Sequence, residues 1–291
     1  MALERQTTWG RLIVLDIFLG GTGAGVFVIG FVLSALGPVK DLGMVCTFVG
    51  PILLIFGLFC LLADLLAPIK RCRRLLAGLS TSWISRGVLI QLLFVILGLG
   101  YALPGFWFPW WLTSGLAAAI GTVAFSLALV TAAYHGLLFG GAKAIPIWAS
   151  PMLPMLSLFV ALCTGVGLAL LISVPFAGLH TERESRETFN LLAIFGTVSI
   201  LIELISLAFL ASARPGVTYS ESLSKLKFPL TVTAVLSLLS VALLAFGITV
   251  GQAVYLFWIS SACGILLLAA GYIMRSAIIS GGYRYPLQIP V

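Results

Sequence analysis

Long apolar stretches separated by short polar connections make up the chain. Each stretch has about 20 residues or more, the length that an α-helix needs to cross roughly 30 Å of hydrocarbon. The stretches lack the alternation of apolar and polar residues that is typical of membrane β-barrels, and a helix satisfies its own backbone hydrogen bonds. The pattern therefore predicts about eight transmembrane helices, at residues 12–36, 43–66, 85–104, 112–138, 151–175, 188–212, 227–250 and 253–275.

The composition supports a membrane protein and leaves no soluble domain of useful size. Of the 291 residues, 61% are hydrophobic and 9% are charged, far from the average of soluble domains. The five cysteines are scattered without CxxC spacing, which argues against a metal site. We therefore expect residues 1–291 to form one all-α polytopic domain in the lipid bilayer, with no metal and no nucleic acid as a partner.

Positive charge is distributed unequally between the two predicted membrane faces. If both termini lie on one side, thirteen of the sixteen lysines and arginines, including Arg275, lie there too. The positive-inside rule then places the termini in the cytoplasm. A second interpretation is that the basic cluster at 70–74 also docks an acidic partner protein. The opposite face holds Lys40, Arg183 and Arg186.

An acid and a run of glycines share the first span. Asp16 lies one turn before Gly20 and Gly21, and a carboxyl group in a membrane span marks a functional site by default. The spacing of Gly21 and Gly25 favours close helix packing. Asp16 and Gly20 share one helix face, which would place a polar group beside a smooth wall that can admit a flat ring.

Tyr134 and His135 end the fourth predicted helix, on the same membrane side as Asp16. Quinone chemistry needs hydrogen-bonding groups, an apolar slot and a group that exchanges protons with water, and imidazole ordinarily titrates near neutrality. These three residues are therefore our candidate catalytic and quinone-binding residues, with Gly20 and Gly21 as further binding residues. The alternative for His135 is a structural histidine at the membrane interface.

Three further ionisable residues are candidates for a proton relay. Asp64 near the end of the second helix and Arg86 near the start of the third each oppose a helix dipole, so we expect them to pair. Glu203 lies well inside the sixth span and would extend a polar path inward. The alternative interpretation of Glu203 is a structural acid, which is either protonated or hydrogen-bonded to a neighbour such as Ser206.

A haem held by two histidines does not fit this topology. His135 and His180 are the two histidines of the chain, and the predicted helices send them to opposite faces, about a bilayer thickness apart. We therefore expect no haem.

Five short motifs follow one another through the first half of the chain. They are Asp16 with LGGTGAG at 19–25, Asp64 with LLAP at 65–68, SWISRG at 82–87, YHG at 134–136 and IPIWASPMLP at 145–154. Together they resemble the NrfD/PsrC family, the integral membrane subunits of polysulfide-reductase-like and related molybdoenzyme complexes. The second half resembles this family in hydropathy and helix count.

The resemblance implies two four-helix bundles, at 12–138 with the quinone site and at 151–275, in the cytoplasmic (inner) membrane. It implies that the protein binds menaquinone or ubiquinone. Electrons would pass between this quinone and a ferredoxin-like iron–sulfur subunit, and through it a molybdopterin-type or other catalytic subunit. Proton translocation is a further possibility. In many members the iron–sulfur partner lies on the outer face, whereas the charge count here places the same face in the cytoplasm.

The resemblance also assigns roles to single residues. Asp16 and Tyr134 match quinone-contacting positions of the family, and Asp64 matches a second-helix acid proposed for proton movement. The chain departs from the family pattern in having an acid at position 16, where a histidine is expected, and in having His135 directly after the tyrosine.

Two other classes of function stay open from the sequence. A secondary transporter predicts helices broken near the midplane and related halves; Pro154 falls inside the predicted fifth helix, but the halves show no convincing repeat. A passive membrane anchor predicts that every polar residue named above is dispensable.

Overall fold

The computed structural model describes residues 4–5, 9–64, 83–108, 110–140, 145, 147–176, 179–212, 217–250 and 253–284. In these ranges eight helices are long and apolar enough to cross a membrane. The predicted all-α polytopic fold is therefore confirmed. The helices are α1 (Arg11–Leu36), α2 (Lys40–Asp64), α3 (Trp83–Trp107), α4 (Gly115–Gly140), α5 (Leu153–Ser173), α6 (Glu182–Ser212), α7 (Val217–Val250) and α8 (Ala253–Ser280).

A short antiparallel pair joins the two ends of the described chain. Strand β1 (Glu4–Arg5) pairs with strand β2 (Tyr283–Arg284), with Glu4 opposite Arg284. Since β1 precedes α1 and β2 follows α8, the two ends lie on the same side of the helices.

The helices pack as two groups of four. Helix α1 packs against α2 and α4, and α3 packs against α2 and α4, which closes the first bundle. In the second bundle α5 packs against α6 and α8, and α7 contacts both α6 and α8. The bundles meet mainly where α5 contacts α1 and α4, and α1 is the most buried of the spans.

Two of the predicted helices begin at least six residues earlier than hydropathy indicated. Helix α6 begins at Glu182 instead of residue 188, because Thr181 and Glu184 form a capping box. The Glu184 amide donates to Thr181 Oγ1 at 3.3 Å, and the Thr181 amide donates to Glu184 Oε2 at 3.0 Å. Helix α7 begins at Val217 instead of 227, because hydropathy detects the apolar part of a helix and misses polar turns outside the hydrocarbon.

Pro154 lies in the first turn of α5, so it does not interrupt a helix as the sequence had indicated. The proline ring fits there because the first turn has no intrahelical partner for its missing amide hydrogen. The feature that favoured a transporter with a broken fifth helix is therefore not present in the structure.

The packing role of Gly25 is confirmed at the crossing of α1 with α5. A Cβ atom on Gly25 would collide with the backbone of Ala161, and Gly165 of α5 faces Gly25 in return. Gly21, the other half of the GxxxG spacing, contacts a different helix, because the Arg275 guanidinium of α8 lies against it.

Candidate functional site

Tyr134 fixes the end of α4 to the beginning of α3. Its hydroxyl donates to the Trp83 carbonyl oxygen at 2.5 Å, and its ring lies against Gly87, where a Cβ atom would overlap the ring. The contact explains two residues of the SWISRG segment, because Trp83 supplies an acceptor and Gly87 supplies the space. The contact also places the face of α3 that carries Trp83 and Gly87 against α4.

A cavity of about 290 Å³ opens between the first four helices, on the side that holds the chain ends. Four of the sequence-predicted residues, Asp16, Asp64, Tyr134 and His135, line it. The rest of the lining is mainly apolar. It consists of Trp9, Ile13, Leu61, Ile84, Val88, Gln91 and Leu138.

Asp16 is buried in this site, with 5% of its surface exposed. Its Oδ1 atom has no hydrogen-bond partner within the described part of the chain. A Cβ atom on Gly57 of α2 would lie 3.2 Å from this oxygen. The carboxyl group therefore lies close to a neighbouring helix at a point where that helix offers it no donor.

Gln91 and His135 form a hydrogen-bonded pair beside Asp16. Gln91 Nε2 lies 3.3 Å from His135 Nε2, and both side chains are buried. Gln91 Oε1 and His135 Nδ1 have no partner among the described residues. We name Asp16, Gln91 and His135 the cavity cluster.

Sequence reasoning missed Gln91, although a signal was present. It is an amide inside an otherwise apolar span, and residues 83, 87 and 91 lie at helical spacing on one face of α3. That face is the one held by Tyr134, so Gln91 is directed towards α4.

Gly20 and Gly21 were predicted to bind the quinone ring. In the structure, both glycines lie against side chains of the protein. A Cβ atom on Gly20 would lie 2.9 Å from Leu54 and 3.3 Å from the His135 ring, and one on Gly21 would overlap the Arg275 guanidinium. Neither glycine is among the residues that line the cavity. The smooth wall predicted from the sequence is therefore covered by His135 and Arg275.

Glu203 lies away from the cavity, buried in the second bundle with 2% exposure. The Cys163 thiol and the Arg275 guanidinium are its electrostatic neighbours. Ser206, the neighbour suggested by the sequence, donates its hydroxyl to the Ile202 carbonyl instead. We name Cys163, Glu203 and Arg275 the inter-bundle cluster.

Arg275 differs from its sequence assignment as a charge at the membrane face. It is 5% exposed, and its guanidinium lies 5.7 Å from the centre of the Phe18 ring. Nη1 and Nη2 have no hydrogen-bond partner in the described ranges. In the sequence, an arginine near the end of α8 cannot be distinguished from one that reaches the membrane interface. The guanidinium of Arg275 fits inside the protein because Gly21 of α1 and Gly271, one turn earlier in α8, leave space for it.

Arg86 is exposed and lies over the Trp83 ring, 5.3 Å from its centre. It is not among the lining residues, whereas Asp64 is. The pairing of Asp64 with Arg86 stays a prediction.

Comparison with known families gives one finding for this chain. A family model described as polysulphide reductase, NrfD, matches residues 2–274. The match covers both bundles and the cavity. A search of curated proteins found no match.

Proposed function

The chain belongs to the polysulphide reductase NrfD family, and on this premise we propose that it is the quinone-reactive membrane subunit of a respiratory oxidoreductase complex. Members of the family are generally quinone-interacting anchors of such complexes and typically pair with iron–sulfur subunits. The protein would bind menaquinone or ubiquinone in the cavity of the first bundle.

The observation that carries this proposal is the set of unpartnered polar atoms around one apolar cavity. Asp16 Oδ1, Gln91 Oε1 and His135 Nδ1 lack partners in the described chain, and all three residues line the cavity. Buried polar atoms are costly without a hydrogen bond. The hydroxyls of a reduced quinone ring could donate to Oδ1 and Oε1, and a ring oxygen could accept from a protonated Nδ1. An apolar tail would fill the apolar slot, so the residues fit a quinone that is bound in its reduced form.

A bound quinone supplies two-electron, two-proton chemistry. Asp16 can hold or release a proton at its carboxyl oxygens, and His135 can do so at a ring nitrogen. Tyr134 already donates its hydroxyl hydrogen to Trp83, so it contributes a ring wall and an oxygen that can still accept. We propose Asp16 and His135 as the proton-exchanging residues and Tyr134 as a contact residue.

Electron transfer would require a partner subunit. We propose a ferredoxin-like iron–sulfur protein on the face that holds the cavity, and through it a molybdopterin-type or other catalytic subunit. Both ends of the described chain lie on this face, since β1 pairs with β2. The charge count still favours the cytoplasmic side of the inner membrane for it after Arg275 is removed, with twelve basic residues against three.

A proton path is the second part of the proposal. Asp64 lines the cavity and would exchange protons near its opening, with Arg86 as its predicted partner. Glu203 would accept protons deeper in the protein. Arg275 is an electrostatic neighbour of both His135 and Glu203, which supports a connection between the cavity and the second bundle.

The test is binding of a menaquinone analogue, together with quinol turnover, by the purified complex carrying Asp16→Asn. We expect the reduced form of the analogue to lose affinity by about tenfold or more, because its hydroxyl can donate to an ionised Asp16 and such a hydrogen bond contributes about 1.5–3 kcal/mol. Thr131→Val is the matched control, since Thr131 has a buried, unpartnered hydroxyl on α4 but does not line the cavity. Unchanged binding and turnover in Asp16→Asn would favour a passive anchor. Solute transport by the isolated chain in vesicles would favour a transporter.

A further inference from the structure

The Gln91–His135 pair has a defined hydrogen-bond direction. An amide nitrogen donates and cannot accept, so His135 Nε2 accepts the bond from Gln91 Nε2. The proton of the neutral imidazole then lies on Nδ1. In this arrangement Gln91 has one unpartnered atom, the acceptor Oε1.

The same two side chains have a second arrangement with the same number of protons. If the amide turns over about its last torsion, Oε1 faces His135 and accepts from Nε2–H, and the amide nitrogen takes the free position as a donor. That torsion is broad and roughly two-fold. The backbone need not move, because the rotation is confined to the side chain of Gln91. The contacts of Tyr134 with Trp83 and Gly87 hold α3 in place.

The two arrangements suit the two oxidation states of a quinone ring. A quinone carbonyl can only accept a hydrogen bond, whereas the hydroxyl of the reduced ring can donate one. The acceptor arrangement of Gln91 therefore suits the hydroxyl, and the donor arrangement suits the carbonyl.

Asp16 and Tyr134 cannot make this change in the same way. Asp16 changes from acceptor to donor only by gaining a proton, and the hydroxyl hydrogen of Tyr134 is donated to Trp83. Gln91 is a neutral group that can offer either a donor or an acceptor from one fixed position. It lines the cavity and is 3% exposed.

We propose that Gln91 contacts the ring in the cavity, and that its amide turns over with the oxidation state of the ring while His135 changes tautomer with it. The proposal rests on the proposed function, since it assumes that the cavity takes a quinone. It assigns to Gln91 the recognition of both oxidation states, and it makes His135 Nε2 the nitrogen whose protonation follows the ring.

The direct test is ¹⁵N NMR of histidine-labelled protein carrying His180→Asn. The substitution leaves His135 as the one labelled ring, since the chain has two histidines. His180 stacks on Phe176, a residue that does not line the cavity. Spectra are recorded without ligand, with an oxidised menaquinone analogue and with its reduced form. We expect the Nδ1–H tautomer without ligand and with the reduced ring, and the Nε2–H tautomer with the oxidised ring.

A second measurement compares the dissociation constants of both ring forms for Gln91→Met, with Thr131→Val as the control. We expect Gln91→Met to weaken each form by about three- to tenfold, the effect of one lost hydrogen bond, and to abolish the change of tautomer. The control should bind as the unsubstituted protein does.

The outcomes separate this inference from the proposed function. If the unsubstituted protein binds both forms with the same His135 tautomer, or if Gln91→Met binds both forms normally, the role of Gln91 is overturned and the quinone site stands. If the unsubstituted protein binds neither form, the proposed function itself fails. The tautomer measurement needs no variant at Gln91, so a folding defect there cannot obscure the result.

Discussion

The cavity cluster and the inter-bundle cluster place polar groups in equally buried positions, but their surroundings differ. Asp16, Gln91 and His135 line a cavity of about 290 Å³. Arg275 adjoins a space of about 10 Å³, about the room that one water molecule needs. The first cluster can therefore obtain its missing partners from a ligand, whereas the second depends on its own members. Burial of a polar residue thus identifies a site, and the adjoining volume tells what the site can bind.

The largest effect should come from removing the charge of Arg275. Arg275→Met leaves Glu203 without its cationic neighbour, and a buried charged group that loses its compensating neighbour costs about 1–3 kcal/mol of stability or more. Thermal unfolding in detergent measures the loss. Arg183→Met is the control, because Arg183 pairs with Glu187 at the surface with its side chain 88% exposed; it should change stability by less than about 1 kcal/mol.

A double substitution sharpens this prediction. Glu203→Gln added to Arg275→Met removes the acid that would be left without its neighbour, so the double variant should regain part of the stability lost by Arg275→Met. If the two losses simply add, the two side chains do not stabilise each other, and the inter-bundle cluster is not a unit.

Gly20 and Gly21 are adjacent in the sequence, but Gly20 lies against the cavity cluster and Gly21 against the inter-bundle cluster. Gly21→Ala would push against the Arg275 guanidinium, and Gly20→Ala would push against Leu54 and the His135 ring. Overpacking costs about 1–3 kcal/mol. We expect both variants to lose stability, measured by thermal unfolding, and Gly20→Ala alone to lose quinone affinity in addition. Equal losses of affinity would show that the two clusters do not act separately.

The smallest effect should come from Tyr134→Phe. The variant removes the hydrogen bond to Trp83 and keeps the ring that lines the cavity, so we expect a loss of about 1 kcal/mol in stability. Quinone affinity should fall less than in Asp16→Asn, because the hydroxyl hydrogen is directed to the protein. A titration of both variants with the same menaquinone analogue checks the order, and a larger loss in Tyr134→Phe would make its hydroxyl the main ligand contact.

Hydropathy was sufficient to predict the helix number, and helix order was sufficient to bring several site residues together. Asp16 lies near the start of the first span, and Asp64, Tyr134 and His135 lie near the ends of the second and fourth spans. Alternating helix direction therefore places them on one face. Their meeting in one cavity needed the packing of four helices, which the sequence does not encode locally.

Gln91 and Arg275 show where sequence reasoning stopped. An amide within a span has no distinguishing charge, and the partner of Gln91 lies 44 residues away in sequence. Arg275 near the end of α8 looks like a residue that reaches the interface. Its burial depends on space left by Gly21 in α1 and by Gly271 one turn away, and such space is a property of tertiary packing.

The most direct test of the proposed quinone site is photolabelling of the purified protein with a photoreactive menaquinone analogue, followed by mass spectrometry of the labelled peptides. The account predicts labels on cavity-lining residues such as Ile13, Val88 and Leu138, with labelling suppressed by excess unmodified quinone and reduced in Asp16→Asn. Labels confined to lipid-facing residues of the second bundle, or labels that excess quinone leaves unchanged, would contradict it.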